Sequence, residues 1–260
     1  MKSSTNTSAG RMLKVLADTM GSRACLNFHT HISLETGLIF FSNPFASSAI
    51  TKASLNMAVA SLSDQPLTYK NFGQIGSRQI NPLLSASQVG ESEFDNILED
   101  PDYIKFAFVR NPVSRCLAGY SAHLTGNTRY SDPRKKLFEL IGLDIEANLA
   151  FDDFVELLAL EAEVRNMISL WQPQRSQIAF DIVEYDFVGR HEHWNSDFSR
   201  ISAEIFGDSI PVFDPKFEFN RDPDLTKVSA EVPGKTKRKL EHVYASDFEM
   251  LEEIEKVFHG

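Results

Sequence analysis

The sequence predicts an α/β fold, a three-layer sandwich with a central parallel sheet. Two continuous apolar runs, residues 37–41 and 104–109, are typical of strands buried on both faces. Each run ends at a proline-containing turn, Ser42-Asn43-Pro44 or Arg110-Asn111-Pro112, and a segment of helical character follows it. Strands that alternate with helices favour a parallel sheet with helices packed against it.

The remaining elements follow from periodicity and from breaker residues. Helices are predicted at residues 50–62, 112–123, 151–164, 194–206 and 235–258, the last broken near Asp247. Further strand material is predicted at residues 178–180 and 182–188, an exposed basic loop at 124–136, and polar loops with short elements at 64–103.

Length and composition indicate one domain over residues 1–260. A chain of 260 residues is long for one domain and short for two, since domains commonly have roughly 100–200 residues. The hydrophobic fraction of 42%, with 20 Phe, is enough for one large core. The polar start predicts that residues 1–20 are flexible or peripheral.

The net charge of −10 disfavours nucleic acid and highly sulfated polysaccharide as partners, because long-range repulsion opposes their approach. A small anionic cofactor can still be bound by local basic residues. Cys25 and Cys116 form no CxxC motif or Cys/His cluster, so no metal site is expected. No signal-peptide core and no run of ~18 apolar residues occurs, which predicts a cytoplasmic protein without a membrane anchor.

Two segments have the local form of anion sites. The run at 37–41 leads through the small residues 46–49 into a helix, as phosphate-binding loops do. The run at 104–109 delivers Arg110 to the carboxyl end of a parallel strand, where a following helix N-terminus adds to anion binding. By physics alone, Arg110 could equally pair with a carboxylate at a strand end.

Residues 105–120 resemble the 3′-phosphate-binding motif of the PAPS-dependent sulfotransferases. The matching positions are Phe106, Phe108, Val109, Arg110, Asn111, Pro112, Arg115, Leu117 and Tyr120. Three further segments resemble the carbohydrate, Golgi-type branch, namely Trp171-Gln172-Pro173-Gln174, Tyr185-Asp186-Phe187-Val188-Gly189-Arg190 and Tyr244-Ala245-Ser246-Asp247-Phe248. The chain is thus identified as a soluble, bacterial-style member of this superfamily.

The resemblance implies a P-loop-like sulfotransferase fold that moves a sulfuryl group from PAPS to a hydroxyl or amine, with PAP as product. The acceptor, a carbohydrate among the candidates, is not identified by the sequence. Implied cofactor-binding residues are Pro44, Phe45, Ala46, Ser47, Ser48, Ala49, Lys52, Arg110, Ser114, Arg115, Ala118, Lys235, Thr236 and Lys237, the last three in a basic segment that would close over the nucleotide.

Two positions depart from the family pattern. Phe45 stands where the family has a lysine that neutralises the leaving group, and Lys52 is the candidate replacement. Ala118 stands where the family has a serine on the 3′-phosphate, and Ser114 lies one turn earlier on the same helix face. The alternative reading is therefore a degenerate sulfotransferase fold that binds nucleotide or a partner without turnover.

The sequence does not identify the base that takes the proton of the attacking hydroxyl or amine. The candidate is Glu91, which lies with Glu93 in a predicted loop. The alternative is that both are solvated loop carboxylates. His29 and His31 precede the first predicted strand and are expected at the opposite end of the sheet from the chemistry. The predicted catalytic residues are thus Lys52 and Glu91.

Overall fold

The structure is a computed structural model that describes residues 10–125, 131–167, 169–208, 210, 212–213 and 232–259. The chain divides into two compact units, the first made of Met1–Val109 and Arg175–Phe219 and the second of Arg110–Gln174 and Asn220–Gly260. The single domain over residues 1–260 stays a prediction.

In chain order the helices are α1 (Arg11–Thr19), α2 (Arg23–His29), α3 (Ser48–Leu62), α4 (Ala86–Val89), α5 (Glu91–Glu99), α6 (Pro112–Leu124), α7 (Asp132–Leu140), α8 (Phe151–Leu160), α9 (Ala162–Met167), α10 (Gln174–Gln177), α11 (Trp194–Phe206), α12 (Gly234–Val243) and α13 (Ala245–Phe258). Two short 3₁₀ helices lie at Phe72–Gly76 and His191–His193.

The first unit is built on a four-stranded sheet. The strands β1 (Thr30–Ser33), β2 (Leu38–Phe41), β3 (Ile104–Val109) and β4 (Phe187–Arg190) lie side by side in that order. The β2, β3 and β4 strands run parallel, whereas β1 runs antiparallel to β2. The predicted mixed α/β class with a mostly parallel sheet is confirmed.

The apolar runs form the centre of this sheet, as predicted. All four side chains of β2 are buried, as are those of Phe106, Ala107, Phe108 and Val109 on β3. The Phe40 and Phe106 rings stack across the two strands with centroids 5.1 Å apart. Burial on both faces explains why both runs are continuously apolar rather than alternating.

The β1 strand was not predicted, because three of its four residues are polar. They are nevertheless buried and partly satisfied: the Thr30 hydroxyl donates to the Leu26 carbonyl at 2.9 Å and accepts from the Ala86 amide at 3.1 Å. Since β1 is antiparallel, Thr30 lies opposite Phe41, at the carboxyl end of β2. The expectation that His29 and His31 lie at the opposite end of the sheet is therefore wrong.

Most helix predictions are confirmed, with α11 at its predicted bounds, α6 ending one residue later and α3 starting two residues earlier than expected. The predicted helix at 151–164 is instead two, α8 and α9, separated at Glu161. The final helical segment breaks at Tyr244 rather than at Asp247. These differences move element ends and leave the chain order of the elements unchanged.

Other sequence predictions are also wrong. Residues 178–180 form turns rather than a strand, with Ala179 at a φ of 48°, and of residues 182–188 only Phe187 and Val188 lie in a strand. The predicted loop at 124–136 contains the start of α7, since the Ser131 hydroxyl accepts from the Arg134 amide as a helix cap. Residues 126–130 of that loop lie outside the described residues.

Glu91 and Glu93 belong to the first turn of α5, where a carboxylate suits the helix dipole, and not to a loop.

The second unit is helical and has its own hydrophobic core. Trp171, Phe154 and Tyr244 are fully or almost fully buried at its centre, with the Phe154 and Trp171 ring centroids 4.9 Å apart. Helices α6 and α8 both pack against α12. In the part of the chain that the structure describes, no helix is long and apolar enough to cross a membrane.

Candidate functional site

The turn between β2 and α3 has the conformation of an anion-binding loop. Phe45 and Ser47 both have a left-handed backbone, with φ of 62° and 59°. Non-glycine residues rarely adopt this region, so the turn is tightly determined by its surroundings. Ser47 occupies the N-cap position of α3, but its side chain makes no capping hydrogen bond. The first-turn amides of α3 therefore lack a side-chain cap. A helix start of this kind is suited to binding an anion.

Residues that follow β4 hold this turn in place. The Ser47 hydroxyl lies 2.7 Å from Nδ1 of His191, which explains why it does not cap α3. The Trp194 indole N–H donates to the Thr51 hydroxyl at 2.8 Å. The loop at the end of β2 is thus fixed by side chains that the parallel sheet brings to the end of β4.

Most of the predicted loop residues lie in this turn. Pro44 and Ala46 are buried, and the others are partly buried, namely Phe45, Ser47, Ser48 and Ala49. The Ala46 amide donates to the Asn43 carbonyl at 3.1 Å and closes the turn. Their binding of a nucleotide stays a prediction.

Lys52 lines a cavity of about 260 Å³ in the first unit. The cavity is lined by Ala24, Asn27, Phe28, His31, Lys52, Gly76, Arg78 and Ser85. The Lys52 ammonium lies 5.6 Å from the centre of the Phe28 ring. Burial, and to a smaller extent the nearby charge of Arg78, lowers the pKa of Lys52 to about 8. Its position one turn into α3 thus directs it into the cavity.

His31 is a buried imidazole in the same cavity. Its Nε2 lies 3.2 Å from the Ser42 hydroxyl. Burial, followed by the charges of Lys52 and Arg78, lowers its pKa well below the usual value. The ring is therefore neutral near pH 7, with one unprotonated nitrogen. Sequence reasoning missed this role because the antiparallel direction of β1 was not foreseen.

Arg78 is the second cation of the cavity and was also missed from the sequence. Its guanidinium donates to the carbonyls of Asn27 at 2.8 Å, Thr30 at 2.6 Å and Leu83 at 3.2 Å. Burial lowers its pKa to about 10. Arg78 lies in a polar stretch without periodicity, so no sequence signal distinguished it from a solvated loop residue.

Glu91 lies outside this cavity. Its carboxylate pairs with the Arg23 guanidinium at 2.7 Å, and both side chains are about half exposed, at 50% and 52%. Arg23 also donates to the Ser87 hydroxyl at 3.1 Å. The structure thus engages Glu91 in a surface ion pair, and its catalytic assignment stays a prediction.

In the second unit, Arg110 is fixed by Gln174. The Arg110 amide donates to Oε1 of Gln174 at 2.9 Å, and Nε2 of Gln174 donates back to the Arg110 carbonyl at 2.7 Å. The Arg110 guanidinium donates from Nε to the Ser114 hydroxyl at 3.2 Å, and its side chain is buried. Ser114, predicted to compensate for Ala118, thus lies directly against Arg110.

Arg115 supports the neighbouring chain segment. Its guanidinium donates to the carbonyls of Gln172 at 3.0 Å and Ser169 at 3.4 Å. Burial lowers its pKa, while the carboxylate of Asp247 opposes that shift. These contacts describe a positioning residue, and the predicted contact between Arg115 and the nucleotide stays a prediction.

The start of α6 is already capped. The Asn111 side-chain oxygen accepts from the amides of Val113 at 3.0 Å and Ser114 at 3.3 Å. The sequence predicted that these helix amides add to anion binding, but the side chain of Asn111 satisfies two of them. Ala118 is buried on the same helix, with 2% of its surface exposed.

The basic segment at 234–239 forms the first turns of α12. Thr236 donates its hydroxyl to Oδ1 of Asp152 at 2.8 Å, and Lys239 pairs with Glu156, both acids belonging to α8. Lys235 and Lys237 are exposed. The segment is thus tied to α8, and the predicted closure of Lys235, Thr236 and Lys237 over the nucleotide stays a prediction.

Three of the four segments that carried the resemblance contribute to one cluster in the second unit, namely Arg110 of residues 105–120, residues 171–174 and residues 244–248, whereas residues 185–190 belong to the first unit. The Gln174 amide donates to Oδ2 of Asp247 at 2.9 Å, and the Tyr244 hydroxyl donates to the Trp171 carbonyl at 2.9 Å. Because Gln174 in turn fixes Arg110, all three segments support one arginine. This gives a physical reason for their residue types.

Metal ligands and reactive thiols do not mark the site. Among the described residues, no group of three His, Cys, Asp or Glu side chains could hold a metal ion. Both cysteines are free thiols, and burial raises the pKa of Cys116 to about 12. That thiol is therefore protonated and unreactive at neutral pH.

Comparison with known proteins gives one family match. A model described as the sulfotransferase family matches residues 4–252 of the chain. No curated protein and no solved structure matches.

Proposed function

Because the chain belongs to the sulfotransferase family, we propose that it transfers a sulfuryl group from PAPS to a hydroxyl or amine of an acceptor. The observation that carries this proposal is the turn after β2, whose left-handed residues lead into a helix start without a side-chain cap. When bound, PAPS supplies a sulfuryl group whose bond to the phosphate oxygen breaks as the bond to the acceptor forms, which leaves PAP.

The turn after β2 is assigned to the 5′ end of the nucleotide. The first-turn amides of α3 and the positive end of its dipole would bind the phosphosulfate. Phe45 cannot neutralise charge on the leaving oxygen, so we assign that task to Lys52, the cation that α3 carries one turn on. A pKa of about 8 leaves most Lys52 side chains protonated at neutral pH.

Arg110 is assigned to the 3′-phosphate. A guanidinium can form two parallel hydrogen bonds with a phosphate group. The reciprocal bonds with Gln174 hold the Arg110 backbone, and Ser114 orients its Nε. A preorganised arginine loses less rotamer freedom on binding, which supports this role.

We propose that His31, rather than Glu91, takes the proton that the attacking hydroxyl or amine loses. His31 lines the same cavity as Lys52, and its neutral ring has an unprotonated nitrogen, the form in which a histidine acts as a base. Glu91 does not line that cavity and is engaged with Arg23.

The proposal is tested by titrating PAP into the full chain and by measuring transfer of labelled sulfate from PAPS. We expect micromolar PAP binding that Arg110→Ala weakens by one to two decades, as expected for the loss of a charged hydrogen bond. Lys135→Ala, which removes an exposed cation from the same unit, is the matched control. No detectable PAP binding by the unmodified chain would refute the proposed function.

A further inference from the structure

The cavity of the first unit has the features of a second anion site. Its floor is formed by buried or partly buried polar groups, among them His31, Lys52, Arg78 and Ser85. Phe28 and Gly76, at its edge, are exposed, so the cavity is open to solvent. We propose that it binds the acidic group of a small acceptor, a carboxylate, phosphate or sulfate next to the hydroxyl or amine that is modified.

Uncompensated charge is the first argument for this site. Lys52 and Arg78 are both partly buried in the cavity wall, and the loss of solvation lowers the pKa of each. In the described part of the chain, neither cation pairs with a carboxylate, although the chain has 36 acidic residues. Two desolvated cations without a counter-ion are costly, and a bound anion would relieve that cost.

Available hydrogen-bond donors are the second argument. A guanidinium has five N–H groups, and the three bonds of Arg78 to backbone carbonyls use one on Nη1 and two on Nη2. The Nε–H and the second Nη1–H remain for a ligand. The Lys52 ammonium contacts the Phe28 ring and keeps its own donors for an anion.

The site is separate from the turn that would hold the phosphosulfate. None of the cavity's lining residues belongs to the turn at 44–49, and Lys52 is the only lining residue that belongs to α3. Arg78 comes from the segment between α3 and α4, well outside the donor loop in sequence. The cavity is therefore suited to the acceptor rather than to the nucleotide. This assignment rests on the proposed function.

Size and shape restrict the acceptor further. A volume of about 260 Å³ is just below the ~300–1,000 Å³ of typical small-molecule pockets, so a single ring or a short chain fits. Phe28, with 57% of its surface exposed, offers an apolar face at the edge. A ring could rest on this face while its acidic group reaches Lys52 and Arg78.

Ser85 allows a charge test that keeps the fold. It is the N-cap of α4, and both Asp and Asn are good N-cap residues. Ser85→Asp therefore adds a negative charge to the cavity while Ser85→Asn adds a neutral group of similar size. The comparison separates electrostatics from packing.

The experiment titrates glucose, glucuronate and glucose 6-phosphate into the full chain saturated with PAP, with inorganic phosphate as a minimal probe. We expect the acidic sugars to bind at least about tenfold more tightly than glucose. We expect Ser85→Asp to lose that preference and Ser85→Asn to retain more of it.

Equal affinities for the three sugars, no saturable binding of any probe, or a preference that Ser85→Asp leaves intact would overturn the inference. Failure of the proposed function has a different signature. If PAP does not bind while the nucleotide-free chain still prefers the acidic probes, the cavity assignment stands and the sulfuryl transfer is refuted. If PAP binds and no preference for the acidic probes is found, the cavity assignment is refuted and the proposed function is not.

Discussion

Gln174 and Arg110 exchange two hydrogen bonds, side-chain amide to backbone in both directions, at 2.9 and 2.7 Å. Both residues are buried, Gln174 completely. Arg110 and Gln174 are 64 positions apart in the sequence, yet they share two reciprocal hydrogen bonds, as paired strand residues do. The position of the proposed phosphate-binding arginine therefore depends on a distant glutamine.

Gln174→Ala removes both bonds, so the buried Arg110 amide and carbonyl lose the hydrogen bonds that Gln174 supplies. Since each buried unsatisfied group costs about 1–3 kcal/mol, we expect a loss of at least about 2 kcal/mol of unfolding free energy. Thermal or urea unfolding measures this loss. Gln172→Ala, from the same segment but with only an exposed side-chain bond, should change stability by less than about 0.5 kcal/mol. An equal effect of the two substitutions would contradict the role given to Gln174.

Phe45→Lys restores the cation that the family has at this position. If the turn is aligned correctly, the added charge should stabilise the leaving oxygen and raise kcat by about tenfold or more. Phe45→Met is the neutral control, because it keeps an unbranched apolar side chain at the same left-handed residue. Steady-state transfer from PAPS measures both. Abolished activity in Phe45→Lys would show that the turn is assigned wrongly.

Anion binding should be coupled to protonation of Lys52. Folding lowers its pKa from 10.5 to about 8, so above that pH the cavity holds mostly the neutral amine. A bound anion favours the ammonium and raises the pKa, so binding near pH 8 takes up protons and weakens as the pH rises. Titration calorimetry in buffers of different ionisation enthalpy measures the uptake.

Two controls define that experiment. Near pH 6 Lys52 is already protonated, so its contribution to proton uptake should vanish. Lys52→Met should abolish the uptake near pH 8 as well. Undiminished uptake in Lys52→Met would assign the proton to another group.

His31→Gln should lower kcat while leaving PAP affinity unchanged, because the imidazole is proposed to accept a proton and not to bind nucleotide. Loss of a general base costs typically 10²–10⁴-fold in rate. The exposed His193→Gln is the matched control. A loss of the same size in Glu91→Gln with no loss in His31→Gln would return the assignment to the glutamate.

Gly189→Ala should destabilise the sheet. A Cβ at this position would lie 2.4 Å from Cε1 of Phe108 and 3.1 Å from Cβ of Asp197, so β3 and α11 would have to shift. Overpacking of this kind costs about 1–3 kcal/mol. Gly76→Ala meets no atom within 4 Å and is the control. Phe108→Leu should partly rescue Gly189→Ala in a double-mutant unfolding experiment.

The parts of the fold that the sequence predicted are those with continuous apolar runs or helical periodicity. The β2 and β3 strands and helix α11 are examples, since their burial dictates their composition. The β1 strand escaped because Thr30 and His31 satisfy their polar groups inside the protein, through contacts that only the folded chain creates. Residues 178–180 were wrongly predicted as a strand for the opposite reason: Ile178 and Ala179 are apolar and buried, but they lie in a turn.

The candidate site, like the fold, was predicted from the sequence only in part. Arg110 and the turn after β2 follow from local patterns, a strand end and a helix start. Arg78 and His31 do not, because they reach the cavity only through the antiparallel placement of β1 and the path of residues 64–85. The partnership between Gln174 and Arg110 is likewise a long-range contact, although the resemblance had singled out both segments.

The bridge between Ile32 and Leu84 has a consequence for assembly. The two residues exchange backbone hydrogen bonds at 2.9 and 2.8 Å on the outer side of β1. An open strand edge is a template on which a foreign strand can add and start aggregation. Leu84 occupies the middle of that edge, so the sheet cannot easily grow on this side by recruiting a second chain.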